Sequence, residues 1–471
     1  MSGPDVARAE VPIDRLRAPL LRLIHLENLS GLALIAGAVT ALVLANTPLH
    51  DSVDHFWHQH LVVRVGAISL DESLLHWVND GLMTLFFFVA GLEIKRELVA
   101  GDLRDPRKAA LPALAAAGGM IVPALAYLLL ADSATRGGWG IPMATDIAFA
   151  IGVLTLLGKR VPGRLKVFLL TLAIVDDLGA IVVIAVVYTA SLNTTALMVA
   201  GMLLVALIAL RVLGVWWMPI YVLTGVALWL AVFESGIHAT VAGVVCGLMA
   251  PAKPRRPDQT EVRATNTDTI DELKAIIFDT RETKSVADRL IHNLHPFVAL
   301  LIVPVFALAN TSVVLSPEAL TGTATSAAGQ AVFVGLVVGK PLGILGASWL
   351  AVRSKIATLP TGTTWPHILG VGFLGGIGFT VSLFITDLAF DTPAAVDTGK
   401  ISVLVASVSA SALGAAILIR SGNPAGSQPV DPTDLPPISY EELDATSPLQ
   451  SIASAAMNGS SSPETSEARQ R

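Results

Sequence analysis

Apolar runs of roughly 17–25 residues recur between residues 29 and 420, separated by short stretches rich in Lys, Arg, Asp, Gly and Pro. That is the length at which an α-helix crosses the hydrocarbon of a bilayer. A transmembrane β-barrel strand alternates apolar and polar positions over only about ten residues, and these runs do not alternate. The pattern predicts an all-α polytopic membrane protein with about twelve transmembrane helices, centred near residues 38, 86, 120, 148, 177, 202, 225, 244, 300, 341, 377 and 410.

The polar stretches predict an orientation, because Lys and Arg concentrate in cytoplasmic loops. With the N-terminus inside, the inner loops hold Lys95, Arg96, Arg104, Arg107 and Lys108, then Lys159, Arg160, Arg164 and Lys166, then Arg211, the segment from Lys253 to Arg289, and Arg353 with Lys355. The outer loops hold only Arg64, Arg136 and Lys400. Both termini are then cytoplasmic. The chain divides into an N-terminal cytoplasmic segment 1–28, a membrane domain 29–420 and a tail 421–471. Within the domain, the outer loop 48–75 contains "LVVRVGAISLDES", whose alternation suits a β-hairpin. The inner loop 251–289 contains "TIDELKAIIFD", where Ile270, Leu273, Ile276 and Ile277 share a helical face. The tail is rich in Ser, Pro, Ala and acids and is predicted to be disordered.

Composition supports the membrane class: 53% of residues are hydrophobic and 14% charged, against about 25% charged in a soluble protein. The net charge is −6, and the residues from Ser421 onward account for −5 of it, with seven acids and two arginines. Acidity is thus a tail property and says nothing about substrate. Arg8, Arg15, Arg17 and Arg22 lie among acids and prolines at the start, so no cleavable signal peptide is predicted and the first span serves as the insertion signal. The one cysteine, Cys246, allows neither an intrachain disulfide nor a Cys-based metal site.

Charges inside the spans carry the chemistry. "LLTLAIVDDLGAIVVIAVVY" places Asp176 and Asp177 at mid-span, about 16 Å of helix from either end, too far for an aspartate to reach an interface. Two ionised, unpaired acids there cost on the order of 5–7 kcal/mol, so a partner, water or a proton must offset them. Adjacent helical residues point about 100° apart, so one acid can face an aqueous cavity while the other meets a neighbouring helix. Lys340 in "VFVGLVVGKPLGILG" also lies mid-span and is the natural partner; a plain structural salt bridge would equally bring those two spans together. In "GGWGIPMATDIAFAIGVL", Pro142 breaks the helix just before Thr145 and Asp146. In "GVGFLGGIGFTVSLF", Gly375, Gly376 and Gly378 weaken a second span, although close helix packing also uses glycine. The two interrupted spans run in opposite directions within corresponding triplets of spans, an inverted-topology pattern that points to a transporter's binding site. Half-helix ends carry partial charges, which Asp146 and Lys340 can offset.

With these residues in view, "GLEIKREL", "MATDIAFAIGVLTLLG", "LAIVDDLGAIVVIA", "ESGIHATVAGV", "LHPFVALLIVPVFALANTSV", "VGLVVGKPLG" and "GFLGGIGFTVSLFI" resemble, in order, the NhaA-type sodium/proton antiporters. Two inverted repeats and two interrupted helices crossing near the midplane belong to that family's fold, so here they are what the resemblance implies. It also implies electrogenic, pH-regulated exchange of sodium, or lithium, for two protons in a bacterial plasma membrane. Asp176 and Asp177 would bind sodium and protons in competition, Thr145 and Asp146 would sit at the helix crossing, and Lys340 would pair with Asp176. Glu93, Lys95, Arg96 and Glu97 match a cytoplasmic-end cluster linked to pH response; a solvated basic helix end is the plainer account. The outer-loop hairpin resembles the family's homodimer contact. Membrane lipid is the remaining partner; no cofactor and no nucleic acid are implied. Departures are a longer inner loop before "ADRLIHNLHPF", the apolar Ile291 where an acid is expected, and the acidic tail.

Two other functions use the same acids. A passive cation channel would not need a midplane lysine. An intramembrane hydrolase would need Asp146 and Asp176 to face each other and share a proton. His50, His55, His58 and His60 crowd the outer loop, more in the manner of an exposed polar loop than of a metal site. His238 is read as a hydrogen-bonded helix end, and Asn458, in a glycosylation-like "NGS", lies in the cytoplasmic tail.

Overall fold

A computed structural model describes residues 26–65, 68–189, 192–213, 215, 217–252 and 285–422. The chain divides into two units, Met1–Ser427 and Gln428–Arg471, and every described residue belongs to the first. The start of segment 1–28, the stretch with Ile270, Leu273, Ile276 and Ile277, and Asn458 with the tail beyond residue 422 lie outside the described residues.

The described chain is helical apart from one hairpin. In order the elements are α1 (Leu26–Ala45), α2 (His50–Trp57), β1 (His60–Val65), β2 (Ile68–Ser73), α3 (Leu74–His76), α4 (Met83–Val99), α5 (Pro106–Leu130), α6 (Ile147–Leu157), α7 (Gly163–Val187), α8 (Thr194–Val212), α9 (Met218–Glu234) and α10 (Thr240–Met249). There follow α11 (Val286–Phe297), α12 (Val303–Asn310), α13 (Pro317–Thr325), α14 (Ala327–Val334), α15 (Lys340–Arg353), α16 (Trp365–Gly375), α17 (Phe379–Ala389) and α18 (Pro393–Ser421). Among the described residues, seven helical segments are long and apolar enough to cross a membrane, or up to nine if each bent pair is one span.

Side-chain caps set many helix starts. Asp105 caps α5 just before Pro106, and Asn193, Ser285, Ser316 and Ser326 each accept a backbone N–H at the first turn of α8, α11, α13 and α14. Each satisfies a donor that a helix N-terminus leaves unpaired. β1 and β2 pair antiparallel in the register His60↔Ser73 to Val65↔Ile68, and α2 precedes them in the same polar segment.

Three single turns of π-helix, Trp77–Leu82, Val298–Ile302 and Gly335–Gly339, join α3 to α4, α11 to α12 and α14 to α15. Each re-aims the side chains that follow it. The interrupted spans are a 3-10 helix Arg136–Met143 joined through residues 144–146 to α6, and α16 joined through residues 376–378 to α17 with a 46° bend.

One placement read from sequence is corrected. Lys400, assigned above to an outer loop, lies inside α18 and is only 8% exposed. The helix already begins at Pro393, which puts Lys400 in its second turn.

Candidate functional site

The two breaks meet. The backbone N–H of Asp146 donates to the carbonyl of Ile377 at 2.6 Å, which joins the break before α6 to the break before α17. The Asp146 carboxylate then caps both half-helices. Its Oδ1 accepts from Phe149 N at 2.9 Å, and its Oδ2 accepts from Thr380 N at 3.1 Å and Thr380 Oγ1 at 2.8 Å. A negative group against two helix N-termini offsets their partial positive charge.

Thr145, the preceding residue, bridges the crossing. Its hydroxyl lies 2.7 Å from Asp176 Oδ2 and 2.8 Å from the carbonyl of Gly375, the last residue of α16. Pro142 packs against α14–α15, where a side chain at Gly335 would meet its ring, and Ser382 Oγ donates to the carbonyl of Ile141 at 2.7 Å. A side chain at Gly376 would meet the carbonyl of Leu336, so the chain passes closest where only a hydrogen fits.

Lys340 enters this crossing from the first turn of α15, just after the π-helical turn. Its Nζ lies 2.5 Å from Asp176 Oδ2, both side chains being fully buried, and it also donates to the carbonyl of Met143 at the end of the 3-10 helix. The ammonium thus faces one carboxylate and one helix-terminal carbonyl. Asp177, the next residue of α7, is 6% exposed, and its Oδ1 is buried without a hydrogen-bond partner; Asp176 Oδ1 is likewise unpartnered. A buried carboxylate oxygen without a donor has free lone pairs for a cation or a proton.

The structure therefore brings together Thr145, Asp146, Asp176, Lys340 and Gly375, with Asp177 following Asp176 on α7. Asp146 and Asp176 are held by separate donors, which removes the shared-proton geometry a hydrolase would need. Thr380 and Ser382 are part of the crossing and were not singled out from sequence; the hydroxyls following the glycines in "GGIGFTVSLF" were the available signal.

The Glu93–Glu97 cluster lies toward the end of α4. His295 Nε2 stands 4.0 Å from Glu93 Oε1, and Arg96 Nη2 stands 3.8 Å from Glu97 Oε1. Lys95 lies between them, half-buried. His295 had not been read as a member. Ile291 is buried with Leu92, Ala250 and Ala287, so an apolar contact takes the place of the expected acid. Two of the outer-loop histidines hold separate partners: His58 Nδ1 is 2.8 Å from the Asp54 carbonyl, and His60 Nδ1 is 2.8 Å from Asp71 Oδ1. Among the described residues no group of three or more His, Cys, Asp or Glu side chains is arranged to hold a metal. His238 Nε2 lies 2.7 Å from the carbonyl of Tyr188, tying the entry to α10 to the end of α7.

Comparison with known proteins gives a consistent result. The profile of the family described as Na+/H+ antiporter 1 matches residues 21–418. Among curated proteins, Na(+)/H(+) antiporter NhaA 2 of Myxococcus xanthus is 45% identical over 434 residues, covering 88% of this chain and 92% of its own. Na(+)/H(+) antiporter NhaA of Rhodopirellula baltica is 47% identical over 426 residues, covering 87% and 95%. The protein of the same name in Escherichia coli UTI89 is 46% identical over 389 residues, covering 82% and 93%.

Proposed function

The chain belongs to the Na+/H+ antiporter 1 family, and from that premise we propose that it exchanges cytoplasmic sodium, or lithium, for external protons as a multi-pass plasma-membrane protein of bacteria. It is a transporter and not an enzyme. The observation that carries the reading is the 2.5 Å contact between Lys340 and Asp176 at the crossing of two interrupted helices, with oxygens of Asp176 and Asp177 left unpartnered.

The chemistry is competition for oxygen. Sodium is a hard cation that prefers carboxylate, hydroxyl and carbonyl ligands. In the state described, an ammonium and the Thr145 hydroxyl occupy Asp176 Oδ2. Sodium entering on Asp177 draws Asp176 away from Lys340, and the protons that held these groups leave. When the site faces the other side, protons return and sodium departs. Two protons per sodium require two titrating positions, one on Asp177 and one within the Asp176–Lys340 pair. Asp146 stays fixed as the cap of both half-helices and balances Lys340.

The fuller arrangement is part of the same proposal. The domain 29–420 holds twelve spans in two inverted repeats, with both termini cytoplasmic; the Lys and Arg bias supports this. Glu93, Lys95, Arg96 and Glu97 regulate exchange by pH, and the His295 contact to Glu93 supports that role. The hairpin β1–β2 joins two copies into a homodimer within the lipid. No cofactor takes part. The test is Asp177→Asn in proteoliposomes. Sodium is expected no longer to dissipate an imposed pH gradient; wild-type rate and affinity in that variant would overturn the assignment.

A further inference from the structure

His367, in the first turn of α16, is fully buried and has a partner on each ring nitrogen. The backbone N–H of Thr364 donates to Nδ1 at 3.1 Å, and Thr364 Oγ1 lies 2.7 Å from the same nitrogen. Nε2 lies 2.8 Å from the carbonyl of Gly422, just past the end of α18. A backbone N–H only donates and a carbonyl only accepts. His367 is therefore the neutral tautomer with its hydrogen on Nε2. One ring both caps α16 and clasps it to the end of α18. Gly422 holds φ at +64°, a conformation that glycine adopts without a steric penalty. Thr364 and Pro366 are exposed, so solvent lies close to the clasp.

The clasp ends a longer contact. A side chain at Gly370 would meet Leu418, and one at Gly414 would meet Leu374 and the Gly370 carbonyl. Residues 367, 370 and 374 thus face 422, 418 and 414, so the two helices run antiparallel at close range. Past the break, the N–H of Phe379 donates to Ser407 Oγ at 3.4 Å. α18 is unbroken and splints both halves of the interrupted span. His367 lies eight residues before Gly375, about 12 Å along the helix axis. The Gly375 carbonyl accepts from Thr145, whose hydroxyl also lies 2.7 Å from Asp176 Oδ2. A shift of α16 at the clasp is therefore felt at the crossing.

The charges around the clasp are basic. α16 carries no other ionisable group, and the loop before it carries only Lys355. The elements packed most closely against α16 are α18, α15, α7 and α6. At the His367 end the first three bring Arg420, Arg353, Arg164 and Lys166; Arg164 Nη1 donates to Thr361 Oγ1 at 2.8 Å in the loop before α16. Lys159 and Arg160 follow α6 in the sequence. The acids of these elements stand elsewhere: Asp146, Asp176 and Asp177 toward the crossing, beside Lys340, and Asp397 at the far end of α18 with Lys400. An imidazolium at His367 would lack a carboxylate partner and would oppose the positive end of the α16 dipole. Its Nδ1–H would turn to Thr364 Oγ1 and leave the Thr364 N–H without an acceptor. We propose that His367 is a positioning residue for exchange. Neutral, it clasps α16 to α18 and holds the Gly375 carbonyl at the crossing; protonated, it opens the clasp and exchange slows on the acid side. The proposal rests on the antiport reading for what the clasp controls.

The experiment compares full-length wild type, His367→Gln and His367→Ala across about pH 5–8, the range in which a histidine changes charge. Two quantities are measured: sodium-driven dissipation of a pH gradient in proteoliposomes, and amide hydrogen exchange in detergent of peptides spanning 361–370 and 414–422, corrected for the intrinsic rate. Glutamine at the third helical position accepts from the same N–H and does not titrate. Wild type is expected to lose protection in both peptides, and transport rate with it, as the pH falls. His367→Gln is expected to keep its protection, and at about pH 6 to transport roughly threefold faster than wild type, each relative to its own rate at about pH 8. His367→Ala is expected to be unprotected and slow at every pH; wild-type protection in it would overturn the clasp. If His367→Gln follows the wild-type pH profile in both measurements, the ring is only structural and the proposal fails. Wild-type protection that does not change with pH overturns it too. If wild type drives no sodium–proton exchange at any pH, yet shows acid-labile protection that His367→Gln lacks, the antiport reading fails and the clasp stands. Should His367→Gln not elute as a folded protein, wild type decides: acid loss of protection confined to these two peptides upholds the clasp, and its absence overturns it.

Discussion

At the scale of single residues, the site is a set of mutual obligations. Asp176 and Lys340 are both fully buried and satisfy each other at 2.5 Å. Removing one partner leaves an uncompensated group, which costs about 3–5 kcal/mol, whereas removing both can be nearly neutral. Asp176→Asn and Lys340→Met are each expected to lower the thermal midpoint in detergent, and the double variant to lower it by clearly less than their sum. Additive losses would show that the two groups do not act as a pair. Thr380→Val removes the 2.8 Å hydroxyl bond to Asp146 and keeps the backbone one. A hydrogen bond to a charged group is worth about 1.5–3 kcal/mol, so the variant is expected to fold with a lowered midpoint. An unchanged midpoint would mean the hydroxyl does not hold Asp146. Asp146, Asp176, Asp177 and Lys340 were legible from sequence because a charge in an apolar run is an anomaly that demands a partner. Thr380 and Ser382 were not, because helical hydroxyls ordinarily bond their own backbone, as Thr386 and Ser411 do here. The 2.8 Å contact of Lys400 with Asp387 was not legible either, because only tertiary packing brings α18 to α17.

At the scale of elements, the position of Lys340 depends on how closely α15 approaches α5. Gly335, Gly339 and Gly343 recur one turn apart through the π-helical turn into α15. A side chain at Gly339 would meet the backbone of Pro123, and one at Gly343 would meet the carbonyl of Gly118. Small residues at such spacing let helices approach without a hydrophobic driving force. Gly343→Val is expected to cost roughly 1–3 kcal/mol from overpacking and to slow exchange, because it pushes α15 away one turn from Lys340. Gly346→Ala on the same helix is the control. Nothing lies within 4 Å of its added carbon, and the change gains up to about 1 kcal/mol of helix propensity. Equal effects of the two on thermal midpoint and sodium-driven proton flux would refute the close-packing account. The helix breaks were readable because Pro142 and the glycines at 375, 376 and 378 cannot sustain a regular helix without help. The π-helical turns were not, since one extra residue in a turn leaves no trace in apolar periodicity. The pairing of the breaks through Asp146 N and Ile377 O is likewise a backbone contact that no side-chain pattern records.

At the scale of the whole molecule, the proposed stoichiometry has a consequence that neither residue nor element carries alone. If two protons enter for each sodium that leaves, one net positive charge moves inward per cycle, and the membrane potential drives the exchange. One elementary charge across 100 mV is worth about 2.3 kcal/mol, and each 1.4 kcal/mol is a factor of ten. With the pH held equal on both sides and the interior clamped 100 mV negative, the chain in proteoliposomes is expected to pump sodium outward until the inside concentration is about 50-fold below the outside. An exchanger of one proton per sodium moves no net charge and would stop at equal concentrations. A passive sodium channel responds to the same potential in the opposite direction: sodium would accumulate inside, to about 50-fold above the outside. The sign and size of the final sodium ratio, read with a sodium-sensitive dye under a potassium–valinomycin clamp, thus separate three mechanisms that would use the same buried acids. Depletion requires that Asp177 give up sodium and take up a proton on the same face. It also requires that Lys340 keep Asp176 compensated when sodium is gone, which is the arrangement the 2.5 Å contact provides.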